Sequence, residues 1–176
     1  EKVQEPEAIM QKVFRLLDEI FECYGDIGMI GLTGQMHGIV YLDRDGRHIS
    51  PLYTWQDGRG NMPLGDVSLG SPLSEKIQTE RIRQKELLSK EERSVCEILE
   101  KEYGVKAHTG YGLITHLYNS RKNLVPDGAV RVCTIMDYLG MRLTGRKAPL
   151  MHSSNAASLG LYDAEKGCFI PRSCRK

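Results

Sequence analysis

Three short stretches of this chain hold side chains able to do chemistry. The first is GLTGQMHG, Gly31 to Gly38, where an apolar run breaks at glycines, carries Gln35, Met36 and His37, and then resumes as a second apolar run. Glycine lets backbone amides approach a ligand, and an imidazole can donate or accept a proton near neutral pH. The second is YTWQDGRG, Tyr53 to Gly60, which sets Trp55, Asp57 and Arg59 in a row. A flat aromatic face beside a carboxylate and a guanidinium is suited to gripping a polyol. The third is HSSNAASLG, in which His152, Ser153, Ser154 and Asn155 form a polar cluster ahead of small residues. Taken singly, each also has a plain reading. These are a glycine turn with a surface histidine, a core tryptophan followed by an Asp-Gly turn, and a polar loop satisfying its own backbone.

The elements that must position these residues follow from hydrophobic period and from caps. Glu7 to Tyr24 has Ile9, Val13, Leu16, Leu17, Ile20 and Tyr24 at helical spacing, with Pro6 near its start and Gly25 past its end. Gly28 to Leu32 reads as a short buried strand. Ile39 to Leu42 and His48 to Trp55 read as a hairpin closed by the Asp43–Arg47 turn. Leu73 to Tyr103 is charged and helix-prone, with a capping-box pattern at Ser89 and Glu92; a solvated face explains its charge more simply than a docking surface. Gly112 to Asn123 predicts a helix, Val130 to Ile135 a strand, Met136 to Leu143 a helix ending at Gly145, and Ala156 to Tyr162 a strand. Helices alternating with strands indicate an α/β layer.

Composition narrows the class. The chain has 176 residues and a formal net charge of +1, so nothing global draws it to nucleic acid or to a membrane. No segment reads as a signal peptide or a bilayer span. The five cysteines are scattered, without a C-x-x-C pair, which indicates reduced thiols in a cytoplasmic protein. The five histidines show no short ligand spacing, so a metal hydrolase has little support. The first residue, Glu1, and the ending CFIPRSCRK suggest an incomplete chain.

Order and spacing add a stronger signal. GLTGQMHG, LYTWQDGRG, MDYLGMRLTG and SSNAASLGLYD, in that order, resemble the FGGY family of carbohydrate kinases, nearest its sedoheptulokinase and xylulokinase branch. The resemblance runs from Asp26 to Asp163. It implies an α/β fold of the ribonuclease-H-like, actin-like ATPase class, a mixed sheet flanked by helices, with residues 1–176 as a partial N-terminal, sugar-binding domain. Residues 73–103 would be a charged helical insertion, and the C-terminal ATP domain would be missing. By the same resemblance Gln35, Met36 and His37 sit beside a bound sugar, Trp55, Asp57 and Arg59 help wall its pocket, and Asn155 contacts it. The activity implied is transfer of phosphate from ATP, with Mg²⁺, to a hydroxyl of a ketose such as sedoheptulose or xylulose. The main nucleotide site would lie outside this chain.

Departures from the family pattern qualify this expectation. The family's aspartate base falls here on His152, which leaves two readings: an imidazole base, or a slipped alignment with no base at this place. Asp163 is no ready substitute, because eleven residues of extended chain can carry it about 36 Å away. The family's Asp-x-Gly-Thr turn toward the ATP phosphates is not found before Pro6. The expectations are therefore a sugar kinase, inactive as this piece alone, or a truncated or degenerate sugar-binding module without catalysis. Half a cleft also leaves apolar surface open, so self-association is expected.

Overall fold

The computed structural model of the chain describes residues 2–65 and 93–170. Helix α1, Pro6–Tyr24, begins where the Glu5 side chain accepts the Glu7 N–H at 3.2 Å and ends at Gly25, whose φ of 71° suits glycine. The predicted hairpin is present as strands β2, Val40–Leu42, and β3, Leu52–Tyr53. Its arms are tied by reciprocal bonds between Ile39 and Tyr53, at 3.0 and 2.9 Å. Strand β1, Val3–Gln4, adds to β3, and strand β4, Arg131–Cys133, adds to β2. The result is an antiparallel layer in the order β1-β3-β2-β4, joined at its centre by the Ile39–Tyr53 bridge.

Both faces of this layer are covered, which is why Ile39 to Leu42 reads as an unbroken apolar run. Val40 and Leu42 join Met10 of α1 and Ile135, Tyr138 and Met141 of helix α4, Ile135–Leu143. The alternate residues Ile39 and Tyr41 pack with Tyr53 and Leu159 on the opposite face. A third cluster, Leu64, Val95 and Ile114, joins helix α2, Val95–Tyr103, to helix α3, Gly112–Arg121. Each large side chain buried in these clusters contributes on the order of 1.5–3 kcal/mol.

Caps fix two helix starts. Ser94 and Glu97 form a reciprocal capping box at α2, and Thr134 and Asp137 form another at α4. The Ser89–Glu92 box and residues 73–92 of the charged segment lie outside the described residues. Among the described residues no helix is long and apolar enough to cross a membrane.

Two expectations are corrected. Gly28 to Leu32 is neither a strand nor buried: Met29 is 88% exposed, and Ile30 and Leu32 are exposed with it. Among the described residues no strand lies alongside to supply a ladder, and apolar composition alone cannot create one. Ala156 to Tyr162 is not one strand. Ser153–Ser158 forms helix α5, Gly160 turns the chain at φ 84°, and only Tyr162–Asp163 is extended, as β5 against β6, Cys168–Phe169. The His152 side chain caps α5 and starts it, a role that small-residue content concealed.

Candidate functional site

The Met-His turn is held in an unusual backbone. His37 has φ 71°, in the left-handed region that few side chains adopt, and this form costs about 1–3 kcal/mol. Two contacts hold it. The ring stacks on Tyr111, with centroids 4.6 Å apart and planes 12° from parallel. Its Nδ1 pairs with the main-chain carbonyl of Ser158, at the end of α5. A carbonyl only accepts, so Nδ1 donates, and the neutral ring keeps its lone pair on Nε2. Met36 beside it is 48% exposed. Gln35 is half-buried, and its Nε2 is buried without a hydrogen-bond partner.

Tyr111 ties the second stretch to the first. It stands between Gly110 and Gly112. A Cβ at Gly110 would come within 1.9 Å of the Trp55 carbonyl oxygen, so only glycine lets the Trp55 loop lie there. A Cβ at Gly112 would meet Ile39, Leu159 and the His37 carbonyl at 2.3–2.8 Å. The loop is pinned again where Thr109 Oγ1 donates to the Asp57 carbonyl at 3.1 Å. Trp55 is 53% exposed, whereas Asp57 and Arg59 are buried. Asp57 Oδ1 accepts from Arg59 Nε at 2.8 Å and from Arg59 N at 3.0 Å, and Arg59 Nη1 donates to Asn119 Oδ1. Trp55 thus offers a face to solvent, while Asp57 and Arg59 anchor the loop from within. A cavity of about 160 Å³ is lined by Asp57 and Arg59 together with Lys2, Gln56, Met62 and Tyr118; Trp55, Gln35, Met36, His37 and Asn155 do not line it.

The third stretch arrives through α5. The Leu113 N–H donates to the Leu159 carbonyl at 2.9 Å, which joins the start of α3 to the end of α5. Asn155, half-buried, donates from Nδ2 to Asp137 Oδ1 at 2.9 Å. Asp137 belongs to MDYLGMRLTG, and Met136 of the same motif lies 3.1 Å from where a Cβ on Gly34 would stand. All four motifs therefore meet in space. His152 is exposed, and its Nδ1 accepts the Ser154 N–H at 3.2 Å. The neutral ring then carries its proton on Nε2, the opposite tautomer to His37.

Sequence reasoning passed over Tyr111, Asp137 and Asn119. Two of them carry a sequence signal: flanking glycines mark close backbone approach at Tyr111, and Asp137 stands three residues after Thr134 in a capping-box pattern.

No family model matches the chain. The sedoheptulokinase of Mus musculus is 27% identical over 186 residues, covering 91% of this chain and 32% of that protein. The xylulose kinase of Staphylococcus xylosus is 30% identical over 76 residues, covering 42% of this chain and 16% of that protein. Among solved structures, a gluconate kinase from Lactobacillus acidophilus superposes with a TM-score of 0.60 at 18% identity, over 90% of this chain and 28% of its own. A xylulose kinase from Bifidobacterium adolescentis gives 0.57 at 17%, over 96% of this chain and 34% of its own. The chain spans about a third or less of the length of these proteins. The resemblance to FGGY carbohydrate kinases carried by the four motifs is borne out, and the fold is part of the actin-like ATPase fold of those kinases.

Proposed function

We propose that this chain supplies the sugar-binding side of an ATP-dependent carbohydrate kinase acting on a ketose such as sedoheptulose or xylulose. The observation that carries the reading is the meeting of His37, Tyr111, the Trp55 loop and α5. In this reading the exposed Trp55 face packs on the sugar's C–H surface. His37 Nε2 accepts a hydrogen bond from a hydroxyl, Gln35 and Asn155 add amide contacts, and Met36 closes an edge. Asp57 and Arg59 hold the loop that carries Trp55. The protein works in the cytoplasm and takes neither nucleic acid nor membrane as partner.

Phosphoryl transfer depends on positioning and on neutralising phosphate charge. Among the described residues no three of His, Cys, Asp and Glu are grouped to hold a metal ion. Mg²⁺ in such a reaction is held largely by the phosphates and by one or two carboxylates, so it would enter with the nucleotide. What the chain does itself is bind and orient the accepting hydroxyl.

A specific observation favours a second reading, a sugar-binding module without transfer. His152 Nδ1 is engaged as the cap of α5, so a base at Nε2 needs the tautomer that gives up this cap. Calorimetric titration with ketoses and with Mg-ATP tests both. Any phosphate transfer to the ketose removes the module; ketose binding without transfer by the 176-residue chain is what either reading expects, because the kinase reading places the main nucleotide site outside it, and transfer by a longer chain that includes a nucleotide domain then decides. No binding of any ketose by folded protein removes both.

A further inference from the structure

A buried chain of side chains runs from the Trp55 loop into α3 and ends on a histidine. Arg59 is a donor only, so its bond to Asn119 fixes the amide with Oδ1 toward the guanidinium. Asn119 Nδ2 is left to donate to Tyr41 Oη at 3.2 Å. The Tyr41 hydroxyl has one proton to place, and His116 Nδ1, 2.9 Å away, accepts it in the tautomer that leaves the lone pair on that nitrogen. Asn119 and Tyr41 are fully buried and His116 is half-buried. The Arg59 guanidinium also lies over the Tyr53 ring, 4.5 Å from its centroid. Arg59, a donor only, thus sets the direction of the bonds along the chain, which closes on the His116 lone pair.

We propose that His116 is a positioning residue for the Trp55 loop, acting through Tyr41, Asn119 and Arg59, so that losing its Nδ1 acceptor loosens the sugar-facing loop. Protonation would do this. It replaces the acceptor with a donor, and the proton of the buried Tyr41 hydroxyl is left without an acceptor while its oxygen still accepts from Asn119, at a cost comparable to a lost buried hydrogen bond. Tyr41 on β2 is the titratable group in contact with the ring, and Tyr53 on β3, Tyr118 on its own helix, and Arg59 with Asp57 on the loop lie beyond it along the chain. Burial holds the His116 imidazole below its ordinary pKa and pushes the Tyr41 hydroxyl up to about 12, so His116 is the member that titrates in mild acid. The effect on sugar affinity rests on the reading above; the effect on the loop does not.

Trp55 is the only tryptophan in the chain, so its emission reports the loop without a label. The test follows Trp55 emission of the whole chain from about pH 8 to about pH 5, without sugar, beside far-UV circular dichroism. The expected result is an emission transition in the wild type, with a midpoint below the usual histidine value and unchanged helix signal. His116→Gln keeps a carbonyl acceptor that cannot titrate and should abolish the transition. Tyr41→Phe, which removes the relay hydroxyl, should abolish it too and serves if the glutamine variant does not fold. Ketose affinity should fall about tenfold over this range in the wild type, as expected for one buried hydrogen bond, and stay level in His116→Gln. An unchanged transition in either variant, or a silent Trp55 while the His116 ring protons titrate by NMR, overturns the proposal. No ketose binding at any pH with the Trp55 transition intact overturns the sugar reading and leaves the relay standing.

Discussion

The Nδ1 of His37 donates to the main-chain carbonyl of Ser158, 121 residues later in the chain. One hydrogen bond thus closes the two ends of the motif series onto each other, and it selects the tautomer in which His37 faces a ligand as an acceptor.

His37→Gly separates the backbone of this turn from its side chain. Glycine relieves the positive-φ strain while losing both the stack on Tyr111 and the bond to the Ser158 carbonyl. The relief and the lost stack are each about 1 kcal/mol and of opposite sign, and the lost hydrogen bond adds about 1 kcal/mol of destabilisation. The melting temperature should fall modestly, while ketose binding measured by calorimetry weakens at least about tenfold, the worth of one ligand hydrogen bond.

Gly112→Ala tests the close approach behind Tyr111. The added methyl meets Ile39, Leu159 and the His37 carbonyl well inside contact distance. Overpacking of this kind costs about 1–3 kcal/mol. Urea denaturation should show that loss, and the His37 ring protons should shift in the NMR spectrum of the folded variant.

His152→Ala removes the cap of α5 and should cost about 1 kcal/mol in thermal or urea unfolding. His152→Asn and His152→Asp keep an oxygen acceptor at the same place and should be close to wild type. Equal stability of all three variants would show that the cap contributes nothing.

Stability should also fall in mild acid through His116. Burial lowers its pKa in the folded chain, so the unfolded chain binds the proton first. The stability it leaves intact above about pH 6.5 is lost progressively as pH falls from there toward the folded-state value. Urea midpoints at about pH 7.5 and about pH 5.5 should differ in the wild type, and by less in His116→Gln.

The far half of α1 and the segment after it should drive concentration-dependent association. Leu16, Phe21 and Tyr24 are exposed, Tyr24 by 80%, and Met29 and Ile30 continue the apolar surface. Sedimentation velocity should show larger species as concentration rises, and Leu16→Glu with Phe21→Glu should reduce them. A single monomeric species at every concentration would contradict this.

Much of the framework was legible in the sequence. Helical spacing with Pro6 and Gly25 marks α1, Asp-Gly chemistry marks the hairpin turn, and Gly145 marks the stop of α4, because these signals are local. Gly28 to Leu32 misled because a strand is defined by its neighbour, and an apolar run carries no record of one. Ala156 to Tyr162 misled because the feature that decides it is a histidine cap, outside the usual capping residues. The motif residues Met36, His37, Trp55 and Asn155 were visible as letters. Their supports, Tyr111 under His37 and Asp137 behind Asn155, depend on contacts 74 and 18 residues apart, which no local pattern reveals. Asp57 and Arg59 were visible too, but the bond from Arg59 to Asn119, 60 residues away, is one that local sequence does not connect to them.

The central claim is that His37, Tyr111, the Trp55 loop and α5 form one surface that takes a hydroxylated ligand. The most direct measurement is a titration of the folded chain with sedoheptulose and xylulose, read by Trp55 emission and by the His37 ring signals together. The account predicts saturable changes in both signals with one shared midpoint, and their loss in His37→Gly. Two unrelated midpoints, or no change in either signal up to saturating sugar, would contradict it.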